Sequence, residues 1–215
     1  MEVIPAIIAK DIKEVETKTR LVEPYVNWVQ LDIMDGQFVP NTTWNNPEEL
    51  EAQDFSVFFE AHLMIADPVN QIHRWIEAGV KRVIVHFEAV GSEVSHTISD
   101  PSLHPIVDMA NKVHRAGIEF GLAFNPETSI SAGEEFLSYC DLILLMTVSP
   151  GFGGQKFMEE VLSKIKELRQ KRADIKIEVD GGINPETGKK CIEAGANILV
   201  AGSYIFNSKE VKIRI

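Results

Sequence analysis

Two acidic residues stand where strand-like segments of the chain end. Asp32 lies in the stretch VQLDIMDGQF (29–38), and Asp180 lies in EVDGG (178–182). Both follow apolar residues, and burying an unpaired carboxylate is costly unless it has a partner or a task. Two carboxylates that face each other across a pocket can remove a proton beside a carbonyl and return one from the other side. This pattern indicates inversion of a stereocentre through an enediolate, without a redox cofactor.

Histidines end two other strand-like segments. His62 closes EAHLM (60–64), and His86 lies in IVHFE (84–88). A divalent metal held by carboxylate and imidazole would stabilise the negative charge of an enediolate as a Lewis acid. These residue types at neighbouring strand ends therefore favour a metal-assisted proton transfer.

Glycine-rich turns follow the later strand-like segments. Exposed backbone N–H groups in such turns can hold a phosphate. In a barrel of parallel strands, phosphate sites commonly lie in the loops after the seventh and eighth strands. The predicted phosphate-binding residues are Gly151, Gly153, Gly154, Gly181, Gly182, Gly202 and Ser203.

Each of these signals also has an ordinary structural explanation. A single strand histidine is often a hydrogen-bonded core residue, Asp35-Gly36 suits a turn, and a glycine-rich loop alone is weak evidence. The functional interpretation rests on their combination, because two acids and a histidine on separate strands converge at one rim.

The elements that must position these residues are eight strand-like segments separated by helical patterns. They are EVIPAII, NWVQLDIM, SVFFEAHLM, RVIVHFE, EFGLAFN, LILLMTV, KIEVDG and ILVAGSYIF. Their nearly continuous apolar character is typical of strands buried on both faces of a parallel sheet. Helix starts are marked by Asp67 before Pro68 and by Asn184 before Pro185, with Gly79 and Gly195 as the matching stops.

This rhythm predicts a single (β/α)8 barrel over residues 1–215, with its functional groups at the carboxyl ends of the strands. The alternative is an open, doubly wound sheet, but no GxGxxG follows the first segment. Residues 91–106 are longer than a usual connection. The eighth helix is expected to be short or missing, since only nine residues follow YIF.

Composition excludes several classes of protein. The 215 residues carry a net charge of −11 with no basic run, which argues against nucleic-acid and anionic-membrane partners. Cys140 and Cys191 have no CxxC spacing, and the first ten residues do not form a secretory signal. We expect a cytoplasmic protein that forms a homo-oligomer.

Long motifs in chain order resemble the ribulose-phosphate 3-epimerase family: LDIMDGQFVPN, AHLM, NPET, MTVSPGFGGQKF, EVDGGIN and AGSYIF. The resemblance implies a (β/α)8 barrel that epimerises C3 of a phosphorylated ketose, by default D-ribulose 5-phosphate to D-xylulose 5-phosphate, in the pentose phosphate pathway or the Calvin cycle. It implies Asp32 and Asp180 as the acid–base pair. It also implies that Asp32, His62 and Asp180 hold one divalent metal ion (Zn, Fe, Mn or Mg), and that Met34, Met64 and Met146 line the pocket.

Two positions depart from the family pattern. Gln30 stands where the family usually has a metal-binding histidine, and Ala6 stands where it usually has a serine that contacts substrate. Strand alternation places Gln30 on the same side as Asp32, so it can reach the metal position. Its neutral amide is a poorer ligand for zinc or iron than imidazole and is better suited to magnesium or manganese.

Three other functions stay open. One is epimerisation of a hexulose phosphate by the same chemistry. A second is an aldolase or decarboxylase, which would be expected to carry a lysine at the strand ends. A third is a non-catalytic relative that only binds a sugar phosphate, which the changes at Gln30 and Ala6 would fit.

Overall fold

A computed structural model of the chain describes residues 1–50, 52–94 and 101–208. Its eight strands are β1 (Glu2–Ile7), β2 (Trp28–Met34), β3 (Phe58–Met64), β4 (Arg82–His86), β5 (Glu119–Phe124), β6 (Leu142–Met146), β7 (Lys176–Asp180) and β8 (Ile198–Ala201). All neighbouring strands pair in parallel, and β8 pairs with β1, which closes the barrel. The predicted (β/α)8 fold is confirmed.

Helices cover the outside of this barrel. They are α1 (Ile12–Val22), α2 (Pro68–Glu77), α3 (Phe87–Val94), α4 (Pro105–Arg115), α5 (Val161–Lys171), α6 (Pro185–Ala194) and α7 (Ser203–Phe206). Among the described residues, three connections contain 3₁₀ helices, at Pro47–Leu50 after β2, at Pro101–Leu103 after β4 and at Ile130–Tyr139 after β5. Among the described residues, no helix is long and apolar enough to cross a membrane.

Helix boundaries follow the capping residues that the sequence supplies. The side chain of Asp67 accepts from the backbone N–H of Asn70 at the start of α2. Asn184 and Thr187 form a reciprocal capping box at the start of α6, which ends at Gly195 with φ of 119°. Both predicted helices are therefore confirmed at their starts and stops.

The prediction that the whole segment ILVAGSYIF is a strand is wrong. Strand β8 ends at Ala201, and Ser203–Phe206 forms the four-residue helix α7. The expected short eighth helix is thus present, and residues 209–215 lie outside the described part of the chain. Much of the long connection after β4 is helical, in α3 and in the start of α4 at Pro105. Residues 95–100 of that connection are likewise outside the description.

Strand alternation divides the buried residues into two sets. Outward-facing residues such as Leu31, Leu63 and Val179 pack against the helices. Inside the barrel, apolar side chains from β1, β4, β5, β6 and β8 form a separate cluster that includes Ile4 and Leu144. Strands β2, β3, β4 and β7 place buried polar groups inside, in a series that comprises Gln30, Asp32, Glu60, His62, Arg82, His86, Glu178 and Asp180.

Candidate active site

The two acids and His62 meet at the carboxyl ends of their strands. Asp32 pairs in register with His62 across β2 and β3, and Asp180 ends β7. Nδ1 of His62 lies 3.1 Å from Oδ1 of Asp32 and 3.6 Å from Oδ2 of Asp180. One ligand atom from each of the three side chains lies within 4.8 Å of the others. The structure therefore brings together the residues that the sequence placed on separate strands.

The amide of Gln30 lies between the carboxylates. Its Nε2 donates to Oδ1 of Asp32 and to Oδ2 of Asp180, each over 2.9 Å, and lies 3.4 Å from Nδ1 of His62. Its Oε1 is buried without a hydrogen-bond partner among the described residues. Gln30 thus reaches the centre of the site, as strand alternation predicted, and presents its NH2 group there.

Burial and mutual charge shift the protonation of this cluster. Burial and the negative charge of Asp32 raise the pKa of Asp180 to about 7. Burial alone would lower the pKa of His62, but its hydrogen bond to Asp32 and the charges of both aspartates hold that pKa above its usual value. A carboxyl group that titrates near neutral pH is suited to proton transfer in either direction.

The donor atoms fit a divalent cation. Two carboxylates and one imidazole from the described part of the chain converge within the reach of a single ion. Inside this group of three, only a protonated His62 opposes the charge of the carboxylates. A half-turn of the Gln30 amide would exchange Nε2 for the unpartnered Oε1 and supply a neutral oxygen. The Asp32–His62–Asp180 group can therefore bind a metal ion, with oxygen as the majority donor.

A cavity opens above these carboxylates. Asp32 and Asp180 line its floor with Met34, Met64 and Met146, and Ala6 lines it as well. The rest of its wall contains Gly151, Gly153, Gly154, Gly181, Gly182, Gly202 and Ser203. All the residues expected to carry catalysis, pocket contacts and phosphate binding thus share one cavity, except for His62 and Gln30 beneath its floor.

Gly182 has a structural reason to be glycine in addition to any ligand contact. Its φ is 65°, and a Cβ there would lie 2.8 Å from the backbone nitrogen of Phe157. Thr187 donates from Oγ1 to the carbonyl of Gly182, which ties this loop to the start of α6. A larger residue at 182 would therefore displace the neighbouring loop before it met a ligand. Gly153 differs, because a Cβ there would make an ordinary contact of 3.4 Å with Ile8.

Asp35 shapes the loop after β2. Its Oδ1 accepts from the backbone N–H groups of Gln37 and Phe38, and its Oδ2 accepts from that of Ala66. Burial opposes ionisation, but these backbone donors outweigh it and lower the pKa of Asp35. Asp35 thus joins two loops at the rim, and its carboxylate serves the turn.

His86 lies behind His62, away from the carboxylates. Its Nε2 is 2.9 Å from Nε2 of His62, and its Nδ1 is 3.3 Å from Oε2 of Glu88. His86 therefore contacts His62 and Glu88 and does not hydrogen-bond to Asp32 or Asp180. Glu88 was missed by sequence reasoning, although its position two residues after His86 is a visible signal for a polar pair.

A model of the ribulose-phosphate 3-epimerase family matches residues 2–206. The chain belongs to this family. The family consists of isomerases. Ribulose-phosphate 3-epimerase of Chlamydia muridarum is 38% identical over 221 residues, which cover 99% of this chain and 91% of that protein. The Bacillus subtilis protein of the same name is 37% identical, with 99% and 95% covered. The chloroplastic ribulose-5-phosphate-3-epimerase of Arabidopsis thaliana is 38% identical, with 97% and 72% covered.

Solved structures of other enzymes share the fold. A 3-hexulose-6-phosphate synthase superposes with a TM-score of 0.71 at 16% identity, over 100% of this chain and 96% of that one. KGPDC from Streptococcus mutans superposes with a TM-score of 0.73 at 13% identity, over 99% and 92%. At these identities the likeness establishes the barrel alone.

Lysine is absent from the described residues that line the cavity. The aldolase or decarboxylase alternative was expected to place a lysine at the strand ends. The lining thus lacks the feature that would favour it.

Proposed function

We propose that the protein inverts C3 of a phosphorylated ketose, with D-ribulose 5-phosphate and D-xylulose 5-phosphate as the default pair. The family acts on phosphorylated sugars, and the cavity offers the groups that this chemistry needs. The observation that carries the proposal is the pairing of Asp32 and Asp180 at the floor of one cavity, on strands β2 and β7.

The two carboxylates supply the proton transfers. In either direction of the reaction, one ionised carboxylate accepts the C3 proton, and the other, protonated, donates to the opposite side of the same carbon. The raised pKa of Asp180, about 7, makes a mixed protonation state accessible near neutral pH. Nε2 of Gln30 hydrogen-bonds to both carboxylates and so holds them toward the same space.

Asp32, His62 and Asp180 would hold one divalent metal ion, which when bound supplies Lewis-acid stabilisation of the negative charge at the sugar oxygens. Met34, Met64 and Met146 surround the reacting carbons with polarizable, uncharged side chains and limit the water that can reach them. Their apolar surface strengthens the electrostatic effect of the carboxylates on the substrate.

The glycine-bearing loops after β6, β7 and β8 would hold the substrate phosphate. Gly153, Gly182 and Ser203 lie in three different loops that line the same cavity. Backbone N–H groups can bind a phosphate without a cationic side chain. Phosphate at this wall would place the reacting end of the sugar over Asp32 and Asp180.

Solvent exchange at C3 tests the proposal. In heavy water, the natural protein should convert ribulose 5-phosphate to xylulose 5-phosphate that carries deuterium at C3, and this conversion should be lost in Asp32→Asn and in Asp180→Asn. The expected loss is about 100- to 10,000-fold for each change, the usual contribution of a general acid or base. Asp174→Asn, on an exposed acid outside the cavity, is the matched control and should exchange normally. Conversion to xylulose 5-phosphate that survives either cavity substitution would exclude the two-acid mechanism.

Binding without catalysis is a second candidate, favoured by the position of the Gln30 amide between the two acids. An NH2 group there stabilises both carboxylates as anions and competes with a cation for them. Calorimetry with ribulose 5-phosphate separates the two functions. Binding without any deuterium exchange, tested with manganese, zinc and magnesium in turn, would support the non-catalytic relative.

A further inference from the structure

A polar chain runs from the candidate site into the wall of the barrel. His62 and His86 are both fully buried, and their Nε2 atoms are 2.9 Å apart. The ring planes are inclined by only 18° and the ring centroids are 5.0 Å apart, which is near the largest separation that the 2.9 Å contact allows, so the two nitrogens point at each other nearly in plane. Beyond His86, Nδ1 lies 3.3 Å from Oε2 of Glu88. No step of the proposed reaction uses His86 or Glu88.

The direction of these hydrogen bonds is fixed at the Glu88 end. The backbone N–H of Asn125 donates to Oε1 of Glu88 over 2.8 Å. Burial opposes the ionisation of Glu88, but His86 and the neighbouring donors outweigh it and lower its pKa. An ionised carboxylate only accepts, so Nδ1 of His86 must carry the hydrogen of this contact.

The position of the hydrogen on His86 determines which nitrogen of His62 carries a hydrogen. A fully buried imidazole is favoured in its neutral form, because charging it would cost desolvation energy. Neutral His86 with its hydrogen on Nδ1 has a bare Nε2, which can only accept. His62 must therefore carry a hydrogen on Nε2, and its Nδ1 is the atom left to face Asp32 and Asp180.

We propose that His86 and Glu88 are positioning residues, which hold His62 in the tautomer with hydrogen on Nε2 and keep Nδ1 available to the Asp32–Asp180 centre. The proposal uses the site of the proposed function but does not require the epimerase reaction. If His86 and Glu88 had a purely structural role, either tautomer of His62 would serve. The positioning role requires the tautomer with hydrogen on Nε2. Groups that orient a metal-binding histidine in this way typically change metal affinity by about 10- to 100-fold.

Glu88→Gln is the sharpest test, because the structure determines how the new amide must lie. Oε1 is held by the N–H of Asn125, so the NH2 group would face Nδ1 of His86. His86 would then place its hydrogen on Nε2, and His62 would be driven to carry its hydrogen on Nδ1. At alkaline pH, where His62 is neutral, nitrogen NMR of the imidazole rings should show its hydrogen on Nε2 in the natural protein and on Nδ1 in Glu88→Gln.

Metal affinity gives a readout that is independent of turnover. Competition of the protein with a chelator for manganese and for zinc should be weakened about 10- to 100-fold by Glu88→Gln. Glu127→Gln is the matched control and should leave metal affinity unchanged. It removes the same charge from an exposed side chain, and Glu127, like Glu88, interacts electrostatically with Lys164. His86→Phe keeps a planar aromatic ring but removes both nitrogens, and should weaken metal binding as well.

Two results would overturn the proposal. One is a neutral His62 with hydrogen on Nδ1 in the natural protein. The other is an unchanged tautomer and unchanged metal affinity in folded Glu88→Gln, with folding checked by thermal unfolding. Absence of epimerase activity with the expected tautomer would instead refute the proposed function and leave the positioning role standing.

Discussion

Nε2 of Gln30 lies 2.9 Å from Oδ1 of Asp32, inside the group that can bind a metal ion. The contact links two residues of one strand at spacing i and i+2, where side chains share a face. It places a hydrogen-bond donor beside an atom that a metal would need. Metal binding must therefore break this contact or turn the amide over, and both cost free energy.

Replacement of Gln30 by histidine should strengthen metal binding. Gln30→His rebuilds a donor set of two imidazoles and two carboxylates, which suits zinc and iron better than an amide oxygen does. Affinity for zinc is expected to rise by about 10- to 100-fold, the scale on which neighbouring groups tune metal sites. Metal stoichiometry and turnover should be measured for both proteins under matched zinc, manganese and magnesium. Tight zinc binding and fast turnover in the natural protein would show that Gln30 is no defect.

A negative charge at Ser203 should block phosphate. Ser203→Asp adds a carboxylate to the cavity wall, where repulsion should weaken binding of inorganic phosphate and of ribulose 5-phosphate at least tenfold, about 1.4 kcal/mol. Asn207→Asp introduces the same charge at an exposed position four residues away and serves as the control. Calorimetry that finds equal affinity in the two variants would place the phosphate elsewhere. Gly182→Val is also expected to abolish phosphate binding. Because a Cβ at 182 would already collide with the backbone of Phe157, loss of binding in that variant would not by itself locate the phosphate.

Much of the site could be predicted because strand ends in a parallel barrel share one rim. Asp32, His62 and Asp180 could be grouped from their positions alone, and the capping residues Asp67 and Asn184 gave correct helix starts. The helix at Ser203–Phe206 was missed, since a short apolar run has the same appearance in a strand and in a buried helical turn. The orientation of the Gln30 amide depends on three partners, two of them from other strands, so no local pattern specifies it.

The buried charges in the lower half of the barrel were also missed. Glu60 precedes His62 by two residues, and Glu178 precedes Asp180 by two, so strand alternation was a usable signal that these acids point inward. What the strand pattern does not show is which basic residue pairs with these two acids. Arg82 reaches both acids from β4 only because the barrel closes, and its guanidinium also lies 4.3 Å from the ring centre of Trp28.

Glu60 should make stability depend on pH. Both Glu60 and Arg82 are buried, and burial raises the pKa of Glu60 to about 7 although Arg82 opposes it. The folded state then holds a proton that the unfolded state, with a pKa near 4.5, has released. The resulting stabilisation is complete below about pH 4.5 and is lost as pH rises through about 7. The glutamine of Glu60→Gln cannot titrate. Between about pH 5 and pH 8, the free energy of unfolding of the natural protein should therefore fall by on the order of 2–3 kcal/mol relative to that of Glu60→Gln.

Glu119, which also contacts Arg82, provides a control, because its pKa is shifted in the opposite direction from that of Glu60. Burial would raise its pKa, but Lys176 and Arg82 outweigh that effect and lower it. Its stabilisation is present above the unfolded pKa and is lost as pH falls through the folded pKa, so the natural protein should gain stability relative to Glu119→Gln as pH rises toward about 4.5. Urea unfolding of the three proteins across the full range of pH measures both differences. A Glu60→Gln difference that stays constant from about pH 5 to pH 8 would show that Glu60 is ionised throughout and that Arg82 fully compensates its burial.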